Sequence, residues 1–273
     1  MRLSITIATP GSKFAPIVLQ GKYPEQIERA ARLGYPAVEL HIRDPKAIDR
    51  AAVLGALRQN GLAVSTIGTG QAYVDEGLCF SDPDDIVRAK AVQRIKDQIE
   101  FAAELGARVI IGTVKGVFPA VPREVPAVKE RIVACLAQCA TFAEQKGVGL
   151  TLEAINRYEA NFLNTAAETV ALLQEIGSPA LGLHLDTFHM NIEEASTVTA
   201  VRSCAAYLVH VHLADSNRWP PGMGHLDFKA ILGTLYDAGY DGYLGVECLP
   251  RPDAETAARQ ALEHLESILA ELG

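Results

Sequence analysis

The chain has 273 residues, with 33 acidic side chains against 25 lysines and arginines, so its formal net charge is −8. Apolar residues make up 49% of the chain, which excludes an intrinsically disordered protein. The acidic balance argues against a nucleic-acid partner, which needs a basic surface. No apolar run reaches the ~20 residues of a membrane span, and no segment has the form of a signal peptide. We therefore expect a cytoplasmic protein whose five cysteines are small buried hydrophobes.

Short β-branched runs alternate with longer segments of helical spacing along the whole chain. The predicted strands span residues 3–8, 37–42, 62–67, 108–113, 149–154, 181–187, 207–213 and 243–248. The predicted helices span residues 24–33, 45–59, 83–105, 125–146, 165–176, 192–205, 228–238 and 254–272. Proline is expected to open three of these helices, at Pro24, Pro45 and Pro83.

Eight alternating strand–helix units predict an α/β fold, a (β/α)₈ TIM barrel in a single domain over residues 1–273. The alternative is a doubly wound open sheet, which usually carries a glycine-rich phosphate loop after its first strand. The sequence TPGSKFAP follows the first predicted strand and lacks that pattern, which favours the barrel.

Ionisable side chains stand near the C-terminal ends of four successive predicted strands, where barrel enzymes place their active sites. Because strand side chains alternate between faces, apolar neighbours such as Leu185 and Val211 should face the helices while the polar residues face the barrel axis. Burying such groups is costly unless they are paired or bind a metal. An oxygen-rich set with one imidazole suits Mn²⁺, Mg²⁺ or Co²⁺. The four candidate ligands are Glu153, Asp186, His212 and Glu247. An inward layer of salt bridges without a metal is the alternative.

Other polar residues of the same strands allow two interpretations each. Glu39 and His41 either form the floor of the active site or a structural pair. His184 and His210 lie one residue pair deeper than the candidate ligands, and we expect them to orient those ligands or to fill a core layer. Lys115, after the fourth predicted strand, either binds a phosphate or is exposed.

Three long stretches in the second half of the chain carry a family resemblance. They read EAINRYEANFLNT, HLDTFHMNIEE and HVHLADSNRWPPGMGHLDF, and a strand ending in VE follows them. In this order and spacing they resemble the sugar isomerase/epimerase family with a xylose-isomerase-like barrel, and within it the ketose 3-epimerases for D-tagatose and D-psicose. The resemblance covers roughly residues 149–252, and the first half shares only the strand–helix rhythm.

The resemblance implies a role for each matching residue. Glu153, Asp186, His212 and Glu247 would bind one divalent metal ion, expected to be Mn²⁺, with Co²⁺ or Mg²⁺ as alternatives. Glu153 and Glu247 would also be the catalytic acid–base pair. The residues implied to contact the substrate are Glu159, His189 and Arg218.

The implied reaction inverts the carbon next to a ketone, C3 of a ketose or ketose phosphate, through a metal-stabilised enediolate. An aldose–ketose isomerase or an inosose-type dehydratase would use the same residues. A nuclease of the abasic-site type would need more metal ligands and a basic surface, and a non-enzymatic sugar-binding protein would not need paired glutamates.

Two departures from the family pattern leave the substrate open. The segments ADSNR and ECLPRPD look more like sugar-phosphate homologues than like the free-ketose enzymes. With Lys115, Arg218 and Arg251 all predicted in loops after strands, both free and phosphorylated ketoses stay open. The resemblance is also compatible with a homodimer or a homotetramer.

Overall fold

The computed structural model describes residues 1–11 and 16–272. Within these residues the chain forms nine parallel strands: β1 (Arg2–Ala8), β2 (Leu19–Gln20), β3 (Ala37–His41), β4 (Ala63–Gly68), β5 (Arg108–Ile111), β6 (Leu150–Glu153), β7 (Leu181–Asp186), β8 (Leu208–Leu213) and β9 (Tyr243–Val246). The same residues form ten α-helices: α1 (Tyr23–Leu33), α2 (Arg50–Asn60), α3 (Gly70–Glu76), α4 (Asp85–Leu105), α5 (Val125–Lys146), α6 (Ala166–Ile176), α7 (Thr187–Glu193), α8 (Thr197–Cys204), α9 (Phe228–Asp237) and α10 (Ala254–Leu272).

The sheet closes on itself. Its strands follow one another in the order β1-β3-β4-β5-β6-β7-β8-β9, and β9 pairs back onto β1, where Leu3 lies opposite Leu244 and Ile5 opposite Val246. The two-residue strand β2 pairs with the C-terminal end of β1, where Ile7 lies opposite Leu19 and Ala8 opposite Gln20. All eight predicted strands are present within two residues of their predicted ends, so the predicted (β/α)₈ barrel is confirmed.

The core follows the predicted alternation of side chains along the strands. Leu185 of β7 and Val211 of β8 belong to the buried apolar core. Their neighbours Asp186 and His212 are also buried but form a separate polar cluster at the end of the barrel. The alternation that separates a helix-facing apolar layer from an inward polar layer is therefore real.

Helix starts differ from the prediction where a capping side chain, not a proline, sets the boundary. Pro24 stands in the first turn of α1, as predicted. The prediction that Pro45 opens a helix is wrong: α2 begins at Arg50, because the Asp49 carboxylate accepts from the backbone N–H of Ala52 at 3.0 Å. Likewise α4 begins two residues after Pro83.

Two short helices, α3 and α7, were not predicted. Each lies at the end of a strand, and α7 follows β7 without a loop because the Asp186 side chain caps its N-terminus. The predicted helix over residues 192–205 is consequently two helices, since Ser196 caps the separate helix α8. Both short helices lie at the end of the barrel where the candidate site is.

All five cysteines are buried and free. In the described part of the chain, no helix combines the length and the apolar character that crossing a membrane requires. Residues 12–15, part of the segment in which we expect no phosphate loop, lie outside the described residues.

Candidate active site

Four ionisable side chains from successive strands meet at the C-terminal end of the barrel. Glu153 ends β6, Asp186 ends β7, and His212 lies opposite Asp186 on β8. Glu247 follows directly after β9. All four are buried, and Glu153, His212 and Glu247 line one cavity. The structure therefore brings together the four residues for which we predicted a metal site.

The potential ligand atoms are within reach of a single ion. Glu153, Asp186 and His212 each offer one oxygen or nitrogen, and these atoms lie within 4.8 Å of one another. His212 Nδ1 is 3.9 Å from Asp186 Oδ2 and 3.6 Å from Glu247 Oε2. Nδ1 is thus the nitrogen that faces the carboxylates of Asp186 and Glu247.

The carboxylates strongly perturb one another. Burial and the nearby charge of Glu247 raise the pKa of Glu153 to about 8 and that of Asp186 to about 6. Burial also works to raise the pKa of Glu247, but the neighbouring His212, His41 and Arg218 outweigh it and hold this pKa below the ordinary value. Such crowding of acidic groups is the electrostatic setting that a divalent cation relieves.

Two buried atoms test whether these residues suit a metal. Asp186 Oδ2 and His212 Nδ1 have no hydrogen-bond partner among the described residues, although such buried polar atoms are normally satisfied. An ion held by both would supply the missing partner. Carboxylate oxygens with one imidazole suit hard divalent cations, so the residues fit the metal that the resemblance implies.

A second polar layer lies deeper, around Glu39 on β3. Its carboxylate is fully buried and contacts the Nε2 atoms of His41, His210 and His212 at 2.7, 3.0 and 3.0 Å. Burial opposes ionisation of Glu39, but His212 and the bonds from His210 and His41 hold its pKa well below the ordinary value. Of the two interpretations of Glu39, the structure supports a position in the floor of the site.

His184 occupies the same deeper layer as a neutral ring. Burial and the neighbouring His212 and His210 hold its pKa well below the ordinary value. Its ring packs edge-on against His212, with ring centres 4.2 Å apart. Neither ring nitrogen has a hydrogen-bond partner among the residues described, so His184 supports the site through packing.

Arg218 forms part of the cavity wall. Its Nη1 donates to Glu159 Oε1 at 2.7 Å, and its Nη2 lies 3.7 Å from Glu247 Oε2. The guanidinium carbon lies 4.8 Å from the ring centre of Phe188. Its backbone φ of 60° places it in the left-handed region, unusual for a non-glycine residue. The loop thus turns a predicted substrate contact inward, since Arg218 and Glu159 both line the cavity.

His189, the third predicted substrate contact, also lines the cavity. Its Nε2 lies 3.7 Å from Glu153 Oε1. Its Nδ1 lies 2.6 Å from Asn156 Nδ2, which also donates to Glu159 Oε1 at 3.0 Å. The sequence analysis missed Asn156, although it stands in the stretch AINRYE; it links Glu159 and His189, two of the predicted substrate contacts.

Lys115 is buried. Of its two interpretations, the exposed lysine is therefore wrong. Its Nζ lies 3.4 Å from the carbonyl oxygen of Gly112. Burial lowers its pKa to about 8, although the charges of Glu153 and Glu159 work to raise it. The ammonium group therefore contributes to the field around the candidate site.

Comparison with known proteins identifies the family. Residues 27–268 match the family model of the xylose isomerase-like TIM barrel. L-Ribulose 3-epimerase of Mesorhizobium japonicum is 33% identical over 230 residues, which cover 84% of this chain and 76% of that protein. D-Psicose 3-epimerase of Agrobacterium fabrum is 32% identical over 232 residues, which cover 83% of this chain and 79% of that protein.

Solved structures agree with these sequence relatives. D-Allulose 3-epimerase from Methylomonas sp., solved in complex with D-allulose, superposes with a TM-score of 0.82 at 26% identity, covering 98% of this chain and 96% of that one. These relatives confirm the predicted isomerase class and the predicted resemblance. The chain belongs to the xylose isomerase-like TIM-barrel family, with ketose 3-epimerases among its relatives.

Proposed function

We propose that this chain is an epimerase that depends on one divalent metal ion and inverts C3 of a ketose or a ketose phosphate. The observation that carries the proposal is the convergence of Glu153 and Glu247 on one cavity, with His212 between them in strand order. The 3-epimerases among its relatives support the same reaction type.

The metal would be held by Glu153, Asp186, His212 and Glu247. We propose Mn²⁺, and Co²⁺ or Mg²⁺ suits the same donors. When bound, the ion acts as a Lewis acid that polarises the substrate carbonyl and so makes the adjacent C–H more acidic. The protein supplies the rest of the chemistry, because it must hold the sugar and move protons at C3.

Two carboxylates are needed because inversion requires proton transfer on both faces of one carbon. Glu153 and Glu247 come from the ends of strands three places apart in the barrel. We assign each to one face of C3. One glutamate takes the C3 proton, which leaves the enediolate of the substrate, and the other donates its own proton to the opposite face. The proton count balances, and reversal of the roles gives the reverse reaction.

Arg218, Glu159 and His189 would position the sugar. The guanidinium offers donors for the carbonyl and hydroxyl oxygens, while Glu159 offers acceptors for hydroxyl protons. Asn156 bonds Glu159 and touches His189, so the three groups that would contact the substrate are held as one unit. Such fixed orientation is what a slow C–H proton transfer needs.

Exchange in D₂O tests the proposal and separates it from its alternatives. A panel of free and phosphorylated ketoses is incubated with the Mn²⁺-loaded protein, and products are read by NMR. We expect the C3 epimer with deuterium at C3. An aldose would show the isomerase alternative, and an unsaturated ketone would show the dehydratase alternative. Either product, or no turnover of any ketose, contradicts the proposed reaction.

Two variants and one matched control test the assigned glutamates. Glu153→Gln and Glu247→Gln should each abolish epimerisation, because an amide neither accepts nor returns the proton. Asp97→Asn makes the same chemical change at a buried carboxylate on α4, where Asp97 accepts from Gln93 at 2.9 Å. This control should keep full activity. Undiminished turnover in either glutamine variant would remove that glutamate from the proposal.

A further inference from the structure

The Glu39 carboxylate is shared by four side chains beneath the candidate metal site. Its Oε2 contacts the Nε2 atoms of His210 and His212, each at 3.0 Å, and accepts from the Thr66 hydroxyl. Its Oε1 contacts His41 Nε2 at 2.7 Å. The mechanism above uses only His212 of this group, which leaves the role of Glu39 open.

These contacts determine which nitrogen of His212 carries a proton. Glu39 Oε2 already accepts from Thr66 and lies 3.0 Å from His212 Nε2, and an accepting oxygen pairs with a ring nitrogen that carries a proton. In a neutral His212 ring, a proton on Nε2 leaves Nδ1 with a lone pair. That lone pair faces Asp186 Oδ2 at 3.9 Å and Glu247 Oε2 at 3.6 Å, so a cation held by these two carboxylates lies within its reach.

We propose that Glu39 is a positioning residue for the metal site, which fixes the tautomer and the direction of the His212 ring by holding the proton on Nε2. Carboxylates that bond the second nitrogen of a metal-bound histidine orient the ring and increase its basicity. The inference rests on the metal site of the proposed function and deepens it, because it adds a residue that touches neither the metal nor the substrate.

A purely structural role for Glu39 makes a different prediction. If the carboxylate only satisfies buried donors, its replacement changes the stability of the fold but not the affinity of the folded protein for a metal. If Glu39 positions His212, metal affinity falls even in a folded variant. Glu39→Gln distinguishes the two, because it removes the negative charge that favours a proton on Nε2 and leaves one acceptor oxygen where two now serve four side chains.

The first readout is Mn²⁺ affinity, measured by calorimetric titration of the full chain after chelator treatment and without substrate. For Glu39→Gln we expect the dissociation constant to rise 10- to 100-fold, on the order seen when such supporting carboxylates are removed. The control Asp97→Asn should match the wild type. Glu39→Asp retains the charge and should fall between them, and it replaces Glu39→Gln if the latter does not fold.

The second readout is the ¹⁵N NMR spectrum of His212 in the Mg²⁺-loaded protein. We expect the proton on Nε2 in the wild type, and in Glu39→Gln we expect a shifted N–H signal, because the charged acceptor is gone. Unchanged Mn²⁺ affinity in a folded Glu39 variant, or a proton on Nδ1 in the wild type, overturns the inference while leaving the proposed function intact. A wild-type chain that binds no Mn²⁺ overturns both.

Discussion

A methyl group added at Gly245 should damage the metal site from inside the barrel. Gly245 lies on β9 opposite His212, and a Cβ there would be 2.9 Å from His212 Cδ2 and 3.3 Å from Glu39 Oε2. Ordinary contact begins at 3.4 Å, so the ring must retreat by about 0.5 Å, the difference between 3.4 and 2.9 Å. That movement exceeds the ~0.2 Å tolerance of metal–ligand distances.

Gly245→Ala should therefore reduce both stability and metal affinity. Overpacking costs about 1–3 kcal/mol, because the ring is held by Glu39 and cannot swing into solvent. In a chain of this size about 1 kcal/mol shifts the Tm by roughly 2–4 °C. Thermal unfolding in chelator should show a Tm lower by several degrees, and calorimetry should show weaker Mn²⁺ binding than in the wild type.

The matched control is Gly55→Ala in α2, where nothing lies within 4 Å of the added Cβ. An alanine in a helix interior is expected to stabilise by about 0.5–1 kcal/mol and to leave Mn²⁺ binding unchanged. A Gly245→Ala protein with the wild-type Tm and wild-type Mn²⁺ affinity would show that the His212 ring has room to move, and the steric reasoning would be refuted.

Three further predictions concern the metal, the cavity wall and the loop that follows β8. Chelation should abolish epimerisation reversibly, and Mn²⁺ at about 100 times its Kd should restore it and raise the unfolding free energy by about 2.7 kcal/mol; an unchanged Tm would count against binding. Arg218→Lys should raise KM at least ~10-fold, because lysine lacks the planar fork that reaches both Glu159 and Glu247; steady-state kinetics checks this. Burial alone raises the pKa of Asp215, but backbone N–H groups of the loop lower it below 3.8. The ionised Asp215 therefore stabilises the fold above pH ~4, and this stabilisation is lost as the pH falls through the lower pKa of the folded state. Asp215→Asn should lower the free energy of unfolding by about 1–3 kcal/mol. In urea unfolding curves recorded at several pH values, the variant should also lose less stability in acid than the wild type.

The parts of the structure that follow from local rules could be predicted from the sequence. The two-residue period of a strand determines the strand positions and the alternation of inward and outward residues. The closure of a parallel barrel then groups Glu153, Asp186 and His212. The start of α2 could not be predicted from Pro45, because the side chain of Asp49 caps the helix and sets its first residue at Arg50. The burial of Lys115 could not be predicted either, since it depends on the short turn after β5 that brings Lys115 Nζ to the carbonyl oxygen of Gly112.

The role of Glu39 depends on its contact with His212, which neither the alternation of side chains nor the spacing of residues in the sequence predicts. Glu39 lies on β3 and His212 on β8, and β1 and β9 separate them around the closed barrel. The carboxylate reaches His212 only because the intervening inward positions are small. Thr6, opposite Glu39, turns its hydroxyl to the carbonyl of Val246, and Gly245, opposite His212, has no side chain at all. The same missing side chain that makes Gly245→Ala a severe change therefore allows one buried carboxylate to serve histidines from β3 and from β8.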